Sequence, residues 1–558
     1  MPLFVPVGAL LLYFLRFGYD YANSDQDEIL PYLLHRLDPG LFTQDWFVGI
    51  QTAEFSVRTY FVWLLNLFSF ILPVWLCVLL LYVTSWLFIA AAIYKLMYHF
   101  TKDQLASCAA IVLALVLTPV WTLGGNDLVH GMLVASMVGW ALGLWAVYHF
   151  LRRRYLIAPV LLGVACWSQP LVGLHLMMLL FLIRILRFIR DRDSVQTAGG
   201  IAAFGLLFVL WASPSLGPII YQQLLDPAVG PPPEPSLFYI LAEFRLPHHY
   251  LLGSFHLHNI IRFVVLGILA AAGLLWRPYS RQLEDRAFVV RSLVLIAMFG
   301  LFAWIFTEIV PVLLVAKLQL FKMTVFAKLL FVNVISGAFF YWLPELLRRP
   351  FKAVVRHPRW ALAVVAILWA AVIGLTVRGS GFLHERVGPF RRSAAPVGDV
   401  QEWARRQTRV DAIFAVPPSL SSFRSEALRT IVINYKAVPY ADELMVTWFE
   451  RLTDLAPIEL PERGGPGLLD QLDAAYESLD GRRLVELSDR YEFDYVLRRT
   501  SMNDPDASFG EAFGVEDWLI YRRVNGPEGD GPAREAAASG DSPEAPADSI
   551  SLDAQPTF

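Results

Sequence analysis

The stretch PVWLCVLLLYVTSWLFIAAAIYKLMY, residues 73–98, holds a single charge, Lys95. A bilayer core takes about 20 apolar residues of helix, so this stretch reads as a membrane span. Ten more apolar stretches accompany it, near 3–18, 104–121, 131–150, 155–168, 170–188, 199–217, 259–276, 289–306, 324–343 and 360–377. The whole chain agrees. Of its 558 residues 56% are hydrophobic and 17% charged, where a soluble domain carries about 25% charged. Mean hydropathy is +0.50. Such a composition excludes a soluble enzyme and a disordered chain. The net charge of −3 leaves no basic footprint for nucleic acid. The fold class is therefore mainly α: a polytopic helical membrane domain of about 11 spans.

Lys and Arg in short loops set orientation. The basic loops are Arg152–Arg154, Arg184 through Arg192, Arg277 through Arg291 and Arg348 through Arg359. With eleven spans all four fall on one side, the cytoplasm. The N-terminus, MPLFVPVGALLLYFLRFGY, lacks a basic start and a small-residue cleavage site. It reads as a retained first span with a cytoplasmic start. The acidic loop 19–58 and the Pro-rich loop 218–258 fall outside. Residues Thr307–Met323 are apolar but broken by Pro311, Lys317 and Lys322, which points to a re-entrant or interfacial segment. Thr59–Leu72 reads as an interfacial helix.

Three regions follow: a transmembrane domain over 1–378, an extracytoplasmic α/β domain over 379–525, and an acidic tail over 526–558. In the second, strand-like runs DAIFAV (411–416), TIVINYK (430–436), DYVLRR (494–499) and WLIYRR (518–523) alternate with helical stretches such as 442–455 and 481–491. The Gly-, Pro-, Ala- and acid-rich tail is expected to be disordered. Cys77, Cys108 and Cys166 sit in apolar stretches without metal-ligand spacing and read as packing residues.

Chemistry gathers at the outer mouth of the spans. Asp20, Asp25, Asp27 and Glu28 crowd nine positions at the exit of the first span. Such a cluster raises a carboxylate pKa, binds a cation, or supplies a general base. A solvated acidic loop is the plain alternative. Asp45, between aromatics in LFTQDWF, reads as a helix cap or as a second site carboxylate. In FRLPHHY, Arg245 suits a forked phosphate contact, with His248 or His249 beside it. His256 and His258 follow in the same loop. Lys322 near the outer interface suits an anionic lipid phosphate. Lys328 is expected to pair with Glu308 or a first-loop acid, and Lys317 to snorkel. Gly124–Gly125–Asn126–Asp127 with His130 reads first as a turn with capping chemistry and second as a contact to substrate. Trp167, in the corner WSQP, stacks on a sugar or anchors at the interface. No Walker A loop, dinucleotide fingerprint, HExxH or GxSxG occurs, which argues against an ATP-driven pump.

The acidic first outer loop, about eleven spans, basic cytoplasmic turns and an outer α/β domain resemble the GT-C glycosyltransferase superfamily. The stretches DQDEILPYLLHRLDPGLFTQDW (25–46), RLPHHY (245–250), FRSEALR (423–429) and NYKAVPY (434–440) look more narrowly like a family of uncharacterised bacterial multi-spanning proteins. The resemblance implies transfer of a sugar from a polyprenyl phosphate or pyrophosphate carrier to an acceptor at the outer face of the inner membrane. It places the catalytic carboxylate among Asp25, Asp27 and Glu28. It implies carrier-phosphate binding by Arg245, His248, His249 and Lys322, with Trp167 near the sugar. It allows a divalent metal, Mg or Mn, on Asp25 and Asp27.

The implied partners are a polyprenyl-linked donor, membrane lipid and an envelope protein reached through the outer domain, with no nucleic acid. A non-catalytic envelope scaffold or a lipid or polysaccharide transporter is the alternative. An O-antigen-polymerase-like enzyme would rely instead on Arg245 and Arg262.

Overall fold

The structure, a computed structural model, describes residues 2–191, 195–225, 233–343, 347–349, 357–377, 396–504 and 506–524. The expected tail over 526–558 and most of the connection from 378 lie outside the described residues.

An apolar helix forms at each of the eleven expected spans. The deciding stretch becomes Val74–Thr101, 28 residues long, which extends about 42 Å and exceeds the ~30 Å apolar core of a bilayer. It starts after Pro73 and stops where Lys102 turns left-handed, at φ 55°. Asp103 then caps the next helix by accepting from Leu105 N at 2.8 Å and Ala106 N at 3.2 Å. Six helices are long and apolar enough to cross a membrane: Val74–Thr101, Pro170–Ile189, Ala198–Gln223, Leu257–Leu275, Arg286–Ile309 and Leu313–Trp342. The other five expected spans appear as shorter apolar helices, and Thr59–Ser69 is a further short one. The chain is an integral multi-pass membrane protein.

Glycine lets these helices close on one another. A Cβ on Gly163 would stand 2.5 Å from Trp211 Cβ, and one on Gly173 2.4 Å from the Leu162 carbonyl. In lipid, where burial gives helices no drive to associate, such close backbone contact supplies the attraction. The described parts of the four basic loops meet at one end of the bundle. Arg187 lies 3.9 Å from Asp285, Arg153 acts on the same carboxylate, and Arg348 pairs with Asp103.

The opposite end carries everything else. The helix Arg286–Trp304 loosens into a π-helical turn, Ile305–Ile309. A short helix, Leu313–Leu318, and a 3-10 turn, Leu320–Met323, then lead into Thr324–Trp342. The expected break in 307–323 is there. The C-terminal domain adds a five-stranded sheet: β1 Ile413–Ala415, β2 Thr430–Ile431, β3 Tyr495–Arg498, β4 Phe509–Val515 and β5 Trp518–Arg523. Their order is β2-β1-β3-β5-β4. β1 runs parallel to β2 and β3, and the β4–β5 hairpin is antiparallel.

All four expected strands form, but TIVINYK keeps only two residues in the sheet. Its remainder peels off towards the membrane domain, because Asn434, Tyr435 and Lys436 bond there. β4 was hidden in the sequence by two glycines and an alanine. Helices Asp442–Leu455 and Gly481–Tyr491 match their expected limits.

The Pro-rich loop belongs to the core of this domain. Phe244 packs at 5.1 Å against Phe449 and at 6.4 Å against Trp448. Gly464 N and Gly465 N donate to the carbonyls of Glu243 and Phe244 at 2.8 and 2.7 Å. RLPHHY is therefore held between the sheet domain and the helix bundle.

Candidate functional site

The site begins with a local turn. Residues Ser24–Glu28 form a 3-10 helix whose N-cap, Asn23, accepts from Ser24 N at 2.7 Å. Three residues per turn place positions three apart on one side. Asp25 and Glu28 thus share a side, and Asp27 takes another. Buried Gln26 clamps the turn, accepting from Ala22 N at 2.7 Å and donating to the Leu133 carbonyl at 3.2 Å.

Asp25 and Glu28 line a polar chamber of about 330 Å³. Asn126 and His130 of the Gly-Gly turn, Arg245 and His249 of RLPHHY, Lys322, and Lys436 and Tyr440 of the C-terminal domain supply other walls. A second chamber of about 200 Å³ adjoins it, and the two share Glu28, Arg58, Gln169, Gln319, Lys322 and Tyr440. The second is largely apolar, walled by Ile50, Phe55, Val57, Leu171, Ile219 and Leu444.

Charge pairing in the polar chamber is uneven. Arg58 donates from Nε at 3.1 Å and Nη2 at 2.9 Å to one Glu28 oxygen. Lys436 pairs with Asp25. Asp127 pairs with fully buried Lys328, which also donates to the Thr118 carbonyl at 2.9 Å. Two cations remain. The Lys322 ammonium has no hydrogen-bond or ion-pair partner among the described residues. Arg245 donates to the Lys436 carbonyl at 3.1 Å and lies 4.3 Å over the Tyr435 ring. Its buried Nε is unpaired and no carboxylate meets it among the described residues. Burial drives the Asp25 carboxyl up, but Lys436 and Arg58 outweigh it and hold the group well below its ordinary range. Burial lowers His130 and His249, and takes His248 down to about 4 with Arg245 adding to it. Neutral histidines leave Lys322 and Arg245 as the free positive charge.

The structure brings Asp25, Glu28, Arg245, His249 and Lys322 together, and it sets three other expected residues apart. Asp27 is fully buried away from the chamber wall, taken by Arg424 Nη1 at 3.1 Å and Asn434 Nδ2 at 2.7 Å. Burial lifts it to about 6 against the pull of Arg424 and Asn434, with Asp45 and Glu28 adding to the rise. His248 is not on the chamber wall; its ring lies tilted against that of His249, the centroids 4.1 Å apart. Trp167 lies outside both chambers, with Nε1 donating to the Trp211 carbonyl at 2.7 Å and its ring 5.6 Å from Tyr60. His249 itself is fixed, since its Nδ1 meets the Gly124 carbonyl at 2.6 Å.

Other expectations change too. Lys328 pairs with Asp127, because Glu308 is held by Arg463 at 2.9 Å. Lys317 does not snorkel but pairs with Asp442 and Gln223. Arg262 lies over the Trp121 ring, outside both chambers. His256 and His258 stack on each other, also away from the chambers. Asp45 caps its helix as expected, accepting from Phe47 N and Val48 N at 3.1 Å each. It also receives Arg424 Nε at 2.8 Å. The Gly-Gly turn reaches the chamber through Gly125, Asn126 and His130, in line with the second of its two readings; Gly124 needs its φ of 72° there, with the His249 carbonyl close by. Arg58, Lys436 and Tyr440 were not singled out. NYKAVPY held the signal, as a lysine between aromatics.

A metal on Asp25 and Asp27 does not fit, because the two carboxylates point to different sides of the turn. Among the described residues no group of three His, Cys, Asp or Glu side chains is placed to hold an ion.

Residues 395–455 match the model of a family described as a domain of unknown function, DUF6798. No curated protein matches the chain. Two solved structures are similar to this chain. For ArnT from Cupriavidus metallidurans in the apo state the TM-score is 0.46 at 14% identity, covering 93% of this chain and 97% of that one. For the Archaeoglobus fulgidus oligosaccharyltransferase tethered with an acceptor peptide the TM-score is 0.41 at 11% identity, covering 89% and 68%.

Proposed function

We propose that the chain transfers a sugar from a polyprenyl-phosphate-type lipid to an acceptor hydroxyl at the extracytoplasmic face. The observation that carries this reading is the pair of cations without an ion-pair partner among the described residues, Lys322 and Arg245, which share with Asp25 the wall of a polar chamber that adjoins an apolar one. A lipid phosphate brings negative charge to the cations and a hydrocarbon chain to the apolar walls. The basic loops at the far end of the bundle favour a cytoplasmic position for that end, so the chamber and the C-terminal domain face outward.

In the proposed step the acceptor oxygen attacks the anomeric carbon as the carbon–oxygen bond to the carrier phosphate breaks. The hydroxyl proton passes to Asp25 as general base. The bonding pair leaves with the phosphate, whose growing charge Lys322 and Arg245 stabilise. One displacement inverts the anomeric centre. Glu28, tied up by Arg58, orients the wall between the chambers, and Asp27 takes no part in proton transfer.

The test is a lipid extraction from host cells carrying the wild type, a deletion, or the deletion rescued with Asp25→Asn or Lys322→Met. Polyprenyl-linked sugars are read by mass spectrometry. The expected result is one lipid-linked sugar that accumulates in the deletion and stays high in both rescues at normal protein level. An unchanged lipid profile, or full rescue by Asp25→Asn, would refute the assignment and favour a scaffold or transporter.

A further inference from the structure

Among the described residues three ion pairs join the C-terminal domain to the first loop, in two groups that differ in wetness. Arg424 with Asp27 and Asp45 is dry, each side chain at 0% exposure. Lys436 with Asp25 is wet, at 27% and 39%. Breaking a dry pair strands a buried charge, whereas a wet pair exchanges partners at little cost.

The backbone under Lys436 is pinned. Asn434 bonds Asp27 with its amide nitrogen and accepts from Ala437 N with its amide oxygen at 2.9 Å. Arg245 holds the Lys436 carbonyl, and Tyr435 OH donates to the Phe244 and Arg245 carbonyls at 3.2 and 3.0 Å. The Lys436 side chain, by contrast, has Asp25 as its one partner among the described residues. A fixed base with a loosely held head, on the same wall as Arg245, is built to swing.

Resting on the reading of this chamber as a carrier-phosphate site, we infer that Lys436 is an exchangeable counterion. It covers Asp25 while the chamber is empty and moves to the phosphate when one docks on Lys322 and Arg245. Asp25 is then released only with the carrier in place. Arg58, already committed to Glu28, Lys322, engaged by the docked phosphate, neutral His130 and the Tyr440 hydroxyl are the remaining groups facing Asp25, and none takes over the pairing. The C-terminal domain thereby contributes a residue that decides when the carboxylate is free. Arg424 acts as the positioning residue that keeps the strap 430–440 in register.

The exchange predicts a thermodynamic cycle. Full-length protein in detergent is titrated with decaprenyl phosphate and followed by native mass spectrometry. The set is the wild type, Lys322→Met, Asp25→Asn, Lys436→Met and Asp25→Asn/Lys436→Met, with Lys436→Gln as a second neutral variant. Thermal unfolding confirms that each is folded. Lys436→Met should weaken binding about tenfold, as loss of one charge-assisted contact does. Asp25→Asn should tighten it about three- to fivefold, the strength of a wet ion pair, by releasing Lys436. That gain should vanish when Lys436 is also replaced.

An equal gain in both backgrounds would mean plain repulsion between Asp25 and the phosphate and would overturn the exchange. So would no gain at all. Absence of wild-type binding, or binding indifferent to Lys322→Met, would instead overturn the phosphate site itself and the exchange with it. Inorganic phosphate titrated in parallel separates recognition of the head from that of the tail.

Discussion

Asp25 and Asp27 stand two residues apart in one turn and do opposite work. Asp25 faces a wet chamber, pairs with a half-buried lysine, and is held ionised. Asp27 lies in a dry interface, shares one arginine with Asp45, and keeps one oxygen, Oδ1, without a partner. Two carboxylates on one buried guanidinium leave a surplus negative charge, and a proton held on Asp27 up to about pH 6 relieves it. Acidity alone therefore says little about role. The solvent and the partner around each carboxylate make one a candidate base and the other part of a latch.

The largest effect that can break this contrast is on activity. Asp25→Asn should cut glycosyl transfer by about 10²–10⁴-fold, the usual contribution of a general base, while leaving the unfolding temperature close to wild type. Asp27→Asn should retain most of the activity. Measured by turnover of the accumulated lipid-linked sugar, equal losses in the two variants would erase the distinction.

Stability should show the reverse order. Arg424→Met strands two buried carboxylates, and removal of one partner from a buried ionic cluster costs about 3–5 kcal/mol. The C-terminal domain should then loosen and become sensitive to limited proteolysis between 396 and 524. A protease pattern and melting curve like the wild type would show that the latch bears no load.

A smaller effect lies in pH. The Asp27 carboxyl sits at about 6 against 3.8 for an ordinary aspartate. Between these values the folded chain holds a proton that the unfolded chain has lost. Its stabilising contribution is complete below pH 4 and fades as pH rises through 6. The wild type should therefore lose stability relative to Asp27→Asn between pH 4 and 7. A difference that stays flat, or grows in favour of the wild type, would place the proton elsewhere.

Much of the scaffold was legible because it rests on local pattern. The eleven apolar helices, the broken segment 307–323, the Asp45 cap and the limits of Asp442–Leu455 follow from runs of side chains within one stretch. The chamber was legible in part: Asp25, Glu28, Arg245, His249 and Lys322 were marked by charge or ring nitrogen at membrane exits.

What stayed hidden depends on distance along the chain. Lys436 meets a residue more than 400 positions away, and Arg58 shows its role only once Glu28 and Gln169 are beside it. The opposite facing of Asp25 and Asp27 needs the 3-10 geometry of the turn, which composition does not carry. Lys317 went astray because its position was read from residue type, while Asp442, a neighbour in the fold, took up the side chain.

The most direct measurement is a cryo-electron microscopy map of the full-length protein in nanodiscs with decaprenyl phosphate. The account predicts phosphate density between Lys322 and Arg245, tail density against Phe55, Leu171 and Ile219, and the Lys436 side chain turned from Asp25 towards the phosphate. Lipid density that bypasses this chamber, with Lys322 still unpartnered, would contradict it.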